Sequence, residues 1–386
     1  MKTKTIILLI SILLLTGCYD RKELNKIAIL TATEINKIDD NYIIRAQIVN
    51  PQSPDKTTNV EAPFFIYTGT GKTIQEAYRQ IKLSASRYLY PDHLRVLIIN
   101  ENLAQDDIST IFDFYLRDPA IRTEFNVLIG KDDNILSPIT PLNQISASSI
   151  VDTLAVNKNY LGVTNLTTLN EMAIMYLNPH TEIIIPSIQL NNSQNENDKE
   201  ENTQSTKVNS LYELSGLAIF KDNKLKGYLT NDESITYNLI KNNIGTSIIT
   251  YECQKNEYLT LEIITSKTTI TTKNKNISIK TNITATINES ACNIDFNNSQ
   301  NITSLENSLN TYLNNKIKKD LNHIRNEYNS DVFGFLDIIY KHDYKTYLEV
   351  KDNWYKGTFK DIPITIDTNI NIISIGNILE ETNEKN

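Results

Sequence analysis

Residues 6–15 read Ile-Ile-Leu-Leu-Ile-Ser-Ile-Leu-Leu-Leu, preceded by Lys2 and Lys4 as the only charges. A bilayer core takes about 20 apolar residues to cross, so this run is too short to span one. No later stretch reaches spanning length either. The run ends in Leu15-Thr16-Gly17-Cys18. A positive start, a short apolar stretch and a small-residue cleavage site make a secretory signal peptide. Leu-Thr-Gly-Cys is also the lipobox of bacterial lipoproteins. The Cys18 thiol accepts a diacylglyceryl group, and the small Thr16 and Gly17 let a peptidase reach the bond before it. Two acyl chains, at about 0.8 kcal/mol per buried methylene, hold a protein on a membrane where one short chain does not. The expectation is a body, residues 18–386, anchored by lipid on Cys18 to the outer face of a cell membrane.

That body exceeds one typical core, so two or three domains are expected. Loss of Lys2 and Lys4 takes the formal charge from −8 to about −10. A negative chain without a basic block is a poor partner for nucleic acid. Beyond Cys18 there are Cys253 and Cys292, and an exported protein could join them. Three successive strands are expected over 246–253, 258–272 and 277–288, which places these cysteines on strands one and three. Two strand spacings are roughly 10 Å, beyond disulfide reach, so free thiols are expected.

A short charged tether leads into strands at 27–37 and 42–49, and a strand at 63–68 precedes a helix at 74–88 opened by Thr73 and Glu76. Those two residues form a capping-box pair. A strand at 94–100, a helix at 106–117 and a strand at 122–129 follow. Such alternation argues for a mixed sheet covered by helices. Helical patterns at 141–156 and 168–177 lead to a strand at 183–188, and then residues 191–207 hold almost nothing apolar. That stretch cannot bury enough surface to offset its ordering, and it reads as a linker or loop. The second half opens with strands at 211–220 and 224–229 and a helix capped by Thr230 and Glu233. After the three strands, Ile302, Leu305, Leu309, Tyr312, Ile317, Leu321, Ile324 and Tyr328 recur at helical spacing behind Thr303 and Glu306. The chain closes on alternating residues from Ile362 to Ile372, a half-buried strand. The fold class is α+β and multidomain, with mixed and antiparallel sheets covered by helices. The expected division is a signal peptide (1–17), an N-terminal α/β domain (18–136), a middle segment (137–207) and a C-terminal α+β domain (208–386).

Candidate chemistry is sparse. Gly69-Thr70-Gly71-Lys72-Thr73 lies between a strand and a helix, as a phosphate-binding loop does, but Ile66 stands where the motif needs its first glycine. A glycine turn with a helix cap is expected there. His93, His180, His323 and His342 are scattered without a second ligand at metal spacing, so no metal and no cofactor are expected. Asp106-Asp107 and Asp132-Asp133 fall in expected turns, where solvated acids are ordinary. No catalytic residues are assigned, and no ligand-binding residue can be named.

Four segments together resemble the Ger(x)C family, the lipoprotein C subunits of bacterial spore germinant receptors. The first is Cys18-Tyr19-Asp20-Arg21-Lys22-Glu23-Leu24-Asn25, similar to the family's acylated cysteine and charged tether. The second joins Arg87-Tyr88-Leu89-Tyr90-Pro91-Asp92-His93 to Leu116-Arg117-Asp118-Pro119-Ala120-Ile121-Arg122. The third runs from Gly216-Leu217-Ala218-Ile219-Phe220 through Lys224-Leu225-Lys226-Gly227-Tyr228-Leu229 to Glu233. The fourth is Asp331-Val332-Phe333-Gly334-Phe335, with Trp354 downstream. Tyr19 departs from the tryptophan often found there in the family. Physically, Arg117-Asp118-Pro119 reads as a helix end, because the residue before proline is pushed out of helical geometry. Arg122 could return to pair with Asp118.

The resemblance implies a three-domain α+β lipoprotein without catalysis on the outer face of the spore inner membrane. It implies assembly with integral-membrane A and B subunits, and a part in nutrient-triggered germination as scaffold or coupler. Two other classes stand beside it. A solute-binding lipoprotein would need two similar lobes around a cleft. A lipid-anchored cell-wall hydrolase would need a carboxylate or metal site.

Overall fold

In the computed structural model the described residues are 26–50, 62–118, 121–140, 145–191 and 212–376. Cys18 and the whole of the expected signal peptide lie outside them, as does nearly all of the polar stretch 191–207. Among the described residues no helix is long and apolar enough to cross a membrane.

The first part of the chain contributes β1 (Ile27–Ile38), β2 (Asn41–Val49), β3 (Phe64–Gly71), α1 (Ile74–Ile81), β4 (Tyr88–Tyr90) and β5 (Val96–Asn100). Next come α2 (Glu101–Asp106), α3 (Ser109–Arg117), β6 (Asn126–Gly130), α4 (Ser146–Tyr160), α5 (Leu169–Leu177) and β7 (Ile184–Leu190). With β8 (Tyr212–Lys221) and β9 (Lys224–Tyr228) these strands form one sheet, ordered β3-β2-β1-β5-β6-β7-β8-β9, and β4 pairs with the start of β1. The middle strands β1, β5, β6 and β7 run parallel, and the flanking pairs are antiparallel. Parallel strands are covered on both faces and therefore read as continuous apolar runs, which is how Val96-Leu97-Ile98-Ile99 reads. Leu97, Ile99, Val127 and Ile129 face a core closed by α1, α2, α3 and α5. Val96, Ile98 and Leu128 face the opposite core, closed by Ala147, Ile150 and Leu154 of α4.

The second part holds α6 (Asn231–Ile240), β10 (Ser247–Gln254), β11 (Glu257–Lys273), β12 (Asn276–Ser290), α7 (Ser299–Tyr328) and three short helices: α8 (Phe335–His342), α9 (Tyr344–Val350) and α10 (Thr358–Asp361). Strand β13 (Ile364–Ser374) returns parallel to β12 and completes a sheet ordered β10-β11-β12-β13. The stripe Leu305, Leu309, Leu313, Ile317, Leu321 and Ile324 of α7 lies in one core with Leu259, Leu261, Ile279 and Ile283 of that sheet. The amphipathic helix thus covers the meander. The two parts are not separated as sheets. β7 and β8 pair antiparallel from Ile184↔Ile219 to Leu190↔Tyr212, across the polar stretch.

The expected caps at Thr73 and Thr230 form, and Thr168 adds another. The Thr73 hydroxyl accepts the Glu76 N–H at 3.1 Å, and full capping boxes form at Thr168/Glu171 and Thr230/Glu233. The pair Thr303/Glu306 does not cap α7. Asn298 does so one turn earlier, its Oδ1 accepting the Gln300 N–H at 2.9 Å. Glu306 instead accepts the Ile372 N–H at 2.9 Å, fixing β13 against the helix. The helix expected over 74–88 stops at Ile81, where the Ser84 hydroxyl donates to the Ile81 carbonyl. The helix expected over 106–117 breaks at Asp107, whose carboxylate accepts the Ser109 N–H at 2.8 Å and restarts it as α3.

The expectation of free thiols is corrected: Cys253 and Cys292 are joined in a disulfide with Cα atoms 6.2 Å apart. The flat-ladder estimate failed at both ends. Cys253 is the bulge residue of β10, skipped by the register between Glu252 and Gln254. Cys292 lies past the end of β12, where the Ala291 N–H donates to the Tyr258 carbonyl at 2.9 Å and folds the chain back over β11.

Candidate functional site

Helices α1 and α3 pack on one face of the large sheet through Ile74, Ala77 and Ile81 and through Ile111, Phe112 and Tyr115. A cleft of about 450 Å³ opens between them, walled by Lys72, Thr73 and Gln75 on one side and by Thr110, Asp113, Phe114, Arg117 and Asp118 on the other. A smaller cleft of about 150 Å³ shares Gln75, Phe114 and Asp118 and is closed by Tyr88, Tyr90, Asp92 and Ile121. The structure therefore joins in one groove the two halves of the second signature, residues 87–93 and 116–122.

Helix α3 ends at Arg117, and Asp118 is extended, with its carbonyl accepting the Ile121 N–H at 3.2 Å. The helix-end reading of Arg117-Asp118 is thus the observed geometry. Arg117 bonds Asp113, one turn back on its own helix. That contact holds the exposed Asp113 carboxyl below its usual range. Across the groove the Tyr90 hydroxyl donates to Asp92 at 2.5 Å, with Arg122 close enough to act on it electrostatically. Beneath lies a buried hydroxyl chain, Thr33 to Tyr78 at 2.9 Å and Tyr78 to Tyr115 at 2.9 Å. Burial pushes the Tyr78 phenol up to about 12 and Tyr115 well above its ordinary value. Both remain protonated hydrogen-bonding groups at neutral pH.

A second constellation sits where the two parts of the chain meet. Asp331 is fully buried, and its carboxylate accepts the Phe335 N–H at 3.0 Å, the Leu336 N–H at 2.9 Å and the Trp354 indole N–H at 3.2 Å. Its carbonyl accepts the Thr181 hydroxyl and the Glu182 N–H, both at 3.2 Å. Ser330 donates to the Phe220 carbonyl of β8 at 2.5 Å, and Lys241, just after α6, donates to the Phe333 carbonyl at 3.0 Å. Burial raises the Asp331 carboxyl to about 6 against the pull of its donors and Lys241. Gly334 turns the chain at φ 71°, a left-handed conformation that costs glycine little. The Asp331–Phe335 signature is thus a knot tying residues 181–182, β8, α6 and α8 together.

The other candidates have structural employment. Gly69 and Gly71 belong to β3, where a Cβ on Gly69 would stand 2.1 Å from the Ala77 carbonyl oxygen, so both glycines serve close strand–helix packing. Lys72 and Glu76 close the helix start, the Lys72 N–H donating to the Glu76 carboxylate at 2.7 Å. The acid pairs are not merely solvated. Asp106 pairs with Lys37, Asp132 accepts the Leu190 N–H at 2.7 Å, and Asp133 accepts from Asn36 and Asn100 at 3.1 Å. His180 meets the Tyr347 hydroxyl at 3.0 Å, and His323 meets Glu233 at 2.5 Å. Among the described residues no three His, Cys, Asp or Glu side chains converge as a metal site. Sequence reasoning passed over Glu34, buried in β1, which accepts Arg45 at 2.8 Å and the Asn134 N–H at 3.2 Å. An acid inside the apolar run of β1 was the available signal.

These features define a two-part α+β protein whose signature residues build a groove and an internal joint. The fold is shared with the crystal structure of the GerBC protein, at a TM-score of 0.53 and 18% identity over 88% of this chain and 96% of that one. Residues 20–190 match the spore germination protein N-terminal domain, and residues 215–376 match the spore germination B3/GerAC-like C-terminal domain. The chain is 26% identical to spore germination protein KC of Bacillus subtilis (strain 168), over 94% of this chain and 92% of that protein. It is 24% identical to spore germination protein B3 of the same organism, over 98% of this chain and all of that protein. The chain belongs to the GerAC-like family of spore germination proteins.

Proposed function

We propose that this chain is the lipid-anchored subunit of a spore germinant receptor. It is acylated on Cys18 and held on the outer face of the spore inner membrane. There it acts as scaffold and coupler for integral-membrane A and B subunits during nutrient-triggered germination, and it turns nothing over. The observation that carries this reading is the Asp331 knot, in which a family signature is used to join the two parts of the chain. The groove agrees with it. Its Arg117 is engaged by Asp113, and its buried phenols stay protonated at neutral pH. A solute-binding lipoprotein would divide into two similar lobes, whereas one sheet here takes strands from both sides of residues 192–211.

The anchor is tested by Cys18→Ala. The variant is expected to stay unprocessed and to take up no palmitate label, while the wild-type chain is cleaved and labelled. Equal labelling of both chains contradicts the assignment.

A further inference from the structure

One end of the large sheet carries a second surface, which borders the groove at Tyr88. Ile27 pairs with Tyr88, and Ile48 pairs with Phe65, which brings the starts of β1, β3 and β4 together. The turn after α1 joins them, with Ala85, Ser86 and Arg87 meeting Ile27 and Phe65 around a shallow cleft. On this end Leu83 is 83% exposed, Tyr88 48% and Phe65 47%. Leu83 lies in a hydrogen-bonded turn: its N–H donates to the Gln80 carbonyl at 3.0 Å, and the next N–H donates to the Ile81 carbonyl at 3.1 Å. The charges nearest it along the chain are basic, and Asp92 and Asp118 line the adjoining cleft with Arg79 and Lys82. Arg79, Lys82 and Arg87 flank the apolar residues, and the Lys82 ammonium sits 5.3 Å over the Tyr88 ring. No Asp or Glu occurs among the described residues 26–29, 47–50, 62–69 and 79–90, in a chain whose formal charge is −8. Protruding aliphatic and aromatic groups flanked by Arg79, Lys82 and Arg87 match the apolar boundary and negative potential of an anionic lipid surface.

We infer that this end of the sheet seats on the surface of an anionic phospholipid bilayer, with Leu83 and Phe65 entering the headgroup layer. The inference rests on the lipidation of Cys18 proposed above. Eight residue steps separate Cys18 from Lys26, a reach of about 29 Å at full extension. Lys26 adjoins Ile27 at this same end, so the anchor holds this surface near the membrane.

The test uses full-length, acylated protein carrying Leu83→Trp, incorporated into phosphatidylcholine–phosphatidylglycerol vesicles with brominated acyl chains. The native Trp354 is 1% exposed and supplies the background. The new indole is expected to emit blue-shifted and to be quenched at least twofold relative to unbrominated vesicles, and Phe65→Trp is expected to behave alike. Adding Arg79→Glu, Lys82→Glu and Arg87→Glu together should abolish most of that quenching. If the protein floats with the vesicles while both indoles stay unquenched and water-exposed, the seating is overturned and the anchor stands. If the protein does not float, anchor and seating fall together. Indoles shielded from iodide in spore membranes but open in vesicles would give the surface to a protein partner, which also overturns the lipid assignment.

Discussion

Asp331 shows how much one residue can carry and how little of that its sequence position reveals. An acid inside Asp-Val-Phe-Gly-Phe is conspicuous, but its three donors come from Phe335, Leu336 and the distant Trp354. Its carboxyl is raised to about 6 because burial disfavours the charged form more than those donors favour it. The folded chain therefore holds a proton between about pH 4 and 6 that the unfolded chain releases. Stability from this group rises as pH falls through that window and is lowest above it. Asp331→Asn turns an amide toward donors that need an acceptor, which costs about 1–3 kcal/mol at pH 7. The gap between wild type and variant is expected to widen by about 1 kcal/mol per unit from pH 6 to pH 4. Denaturant unfolding at a series of pH values measures it, and a constant gap contradicts the account. Arg117 carries a similar lesson. Its place at a helix end was legible, but its partner was not: Asp113 lies one turn back, a contact set by helix periodicity rather than by neighbours in the chain.

At the scale of elements, what was legible was local. Strand alternation, the apolar stripe of α7 and the caps at Thr73 and Thr230 are short-range signals, and the chain obeys them. They failed where two local signals competed, as Asn298 and Thr303 did for the start of α7. Estimates made across strands failed where a bulge shifted the ladder, as at Cys253. The disulfide closes a loop with a sequence separation of 39, and loops of that size contribute about 2–4 kcal/mol. Reductant is expected to lower the unfolding midpoint of the body accordingly. The denatured, unreduced protein should show neither Cys253 nor Cys292 as a titratable thiol; finding both, with an unchanged midpoint, refutes the bridge. The β3–α1 contact separates packing from phosphate chemistry. Gly69→Ala drives a methyl group into the Ala77 carbonyl and is expected to cost about 1–3 kcal/mol. Lys72→Ala, on the exposed rim, is expected to stay within about 0.5 kcal/mol. Thermal melts of the two variants check this, and the reverse order would contradict the packing role of Gly69.

For the whole molecule, the polar stretch 191–207 reads as a boundary, and it falls in the gap between the two family regions, 20–190 and 215–376. The sheet nevertheless runs through it, because β8 and β9 bury their apolar faces on the first half's strands before the chain enters its second core. That pairing depends on contacts between distant segments, which no local periodicity encodes. The groove was hidden for the same reason, since residues 87–93 and 116–122 meet only once α1 and α3 have packed. A protein organised this way, with its signatures used for joints and surfaces, is expected to act through assembly. The most direct measurement is deletion of its gene in spores whose other germinant receptors have been removed. Nutrient-triggered germination is expected to be lost, while germination by calcium dipicolinate stays normal. Intact nutrient germination, with cortex breakdown blocked under every trigger, would contradict the account.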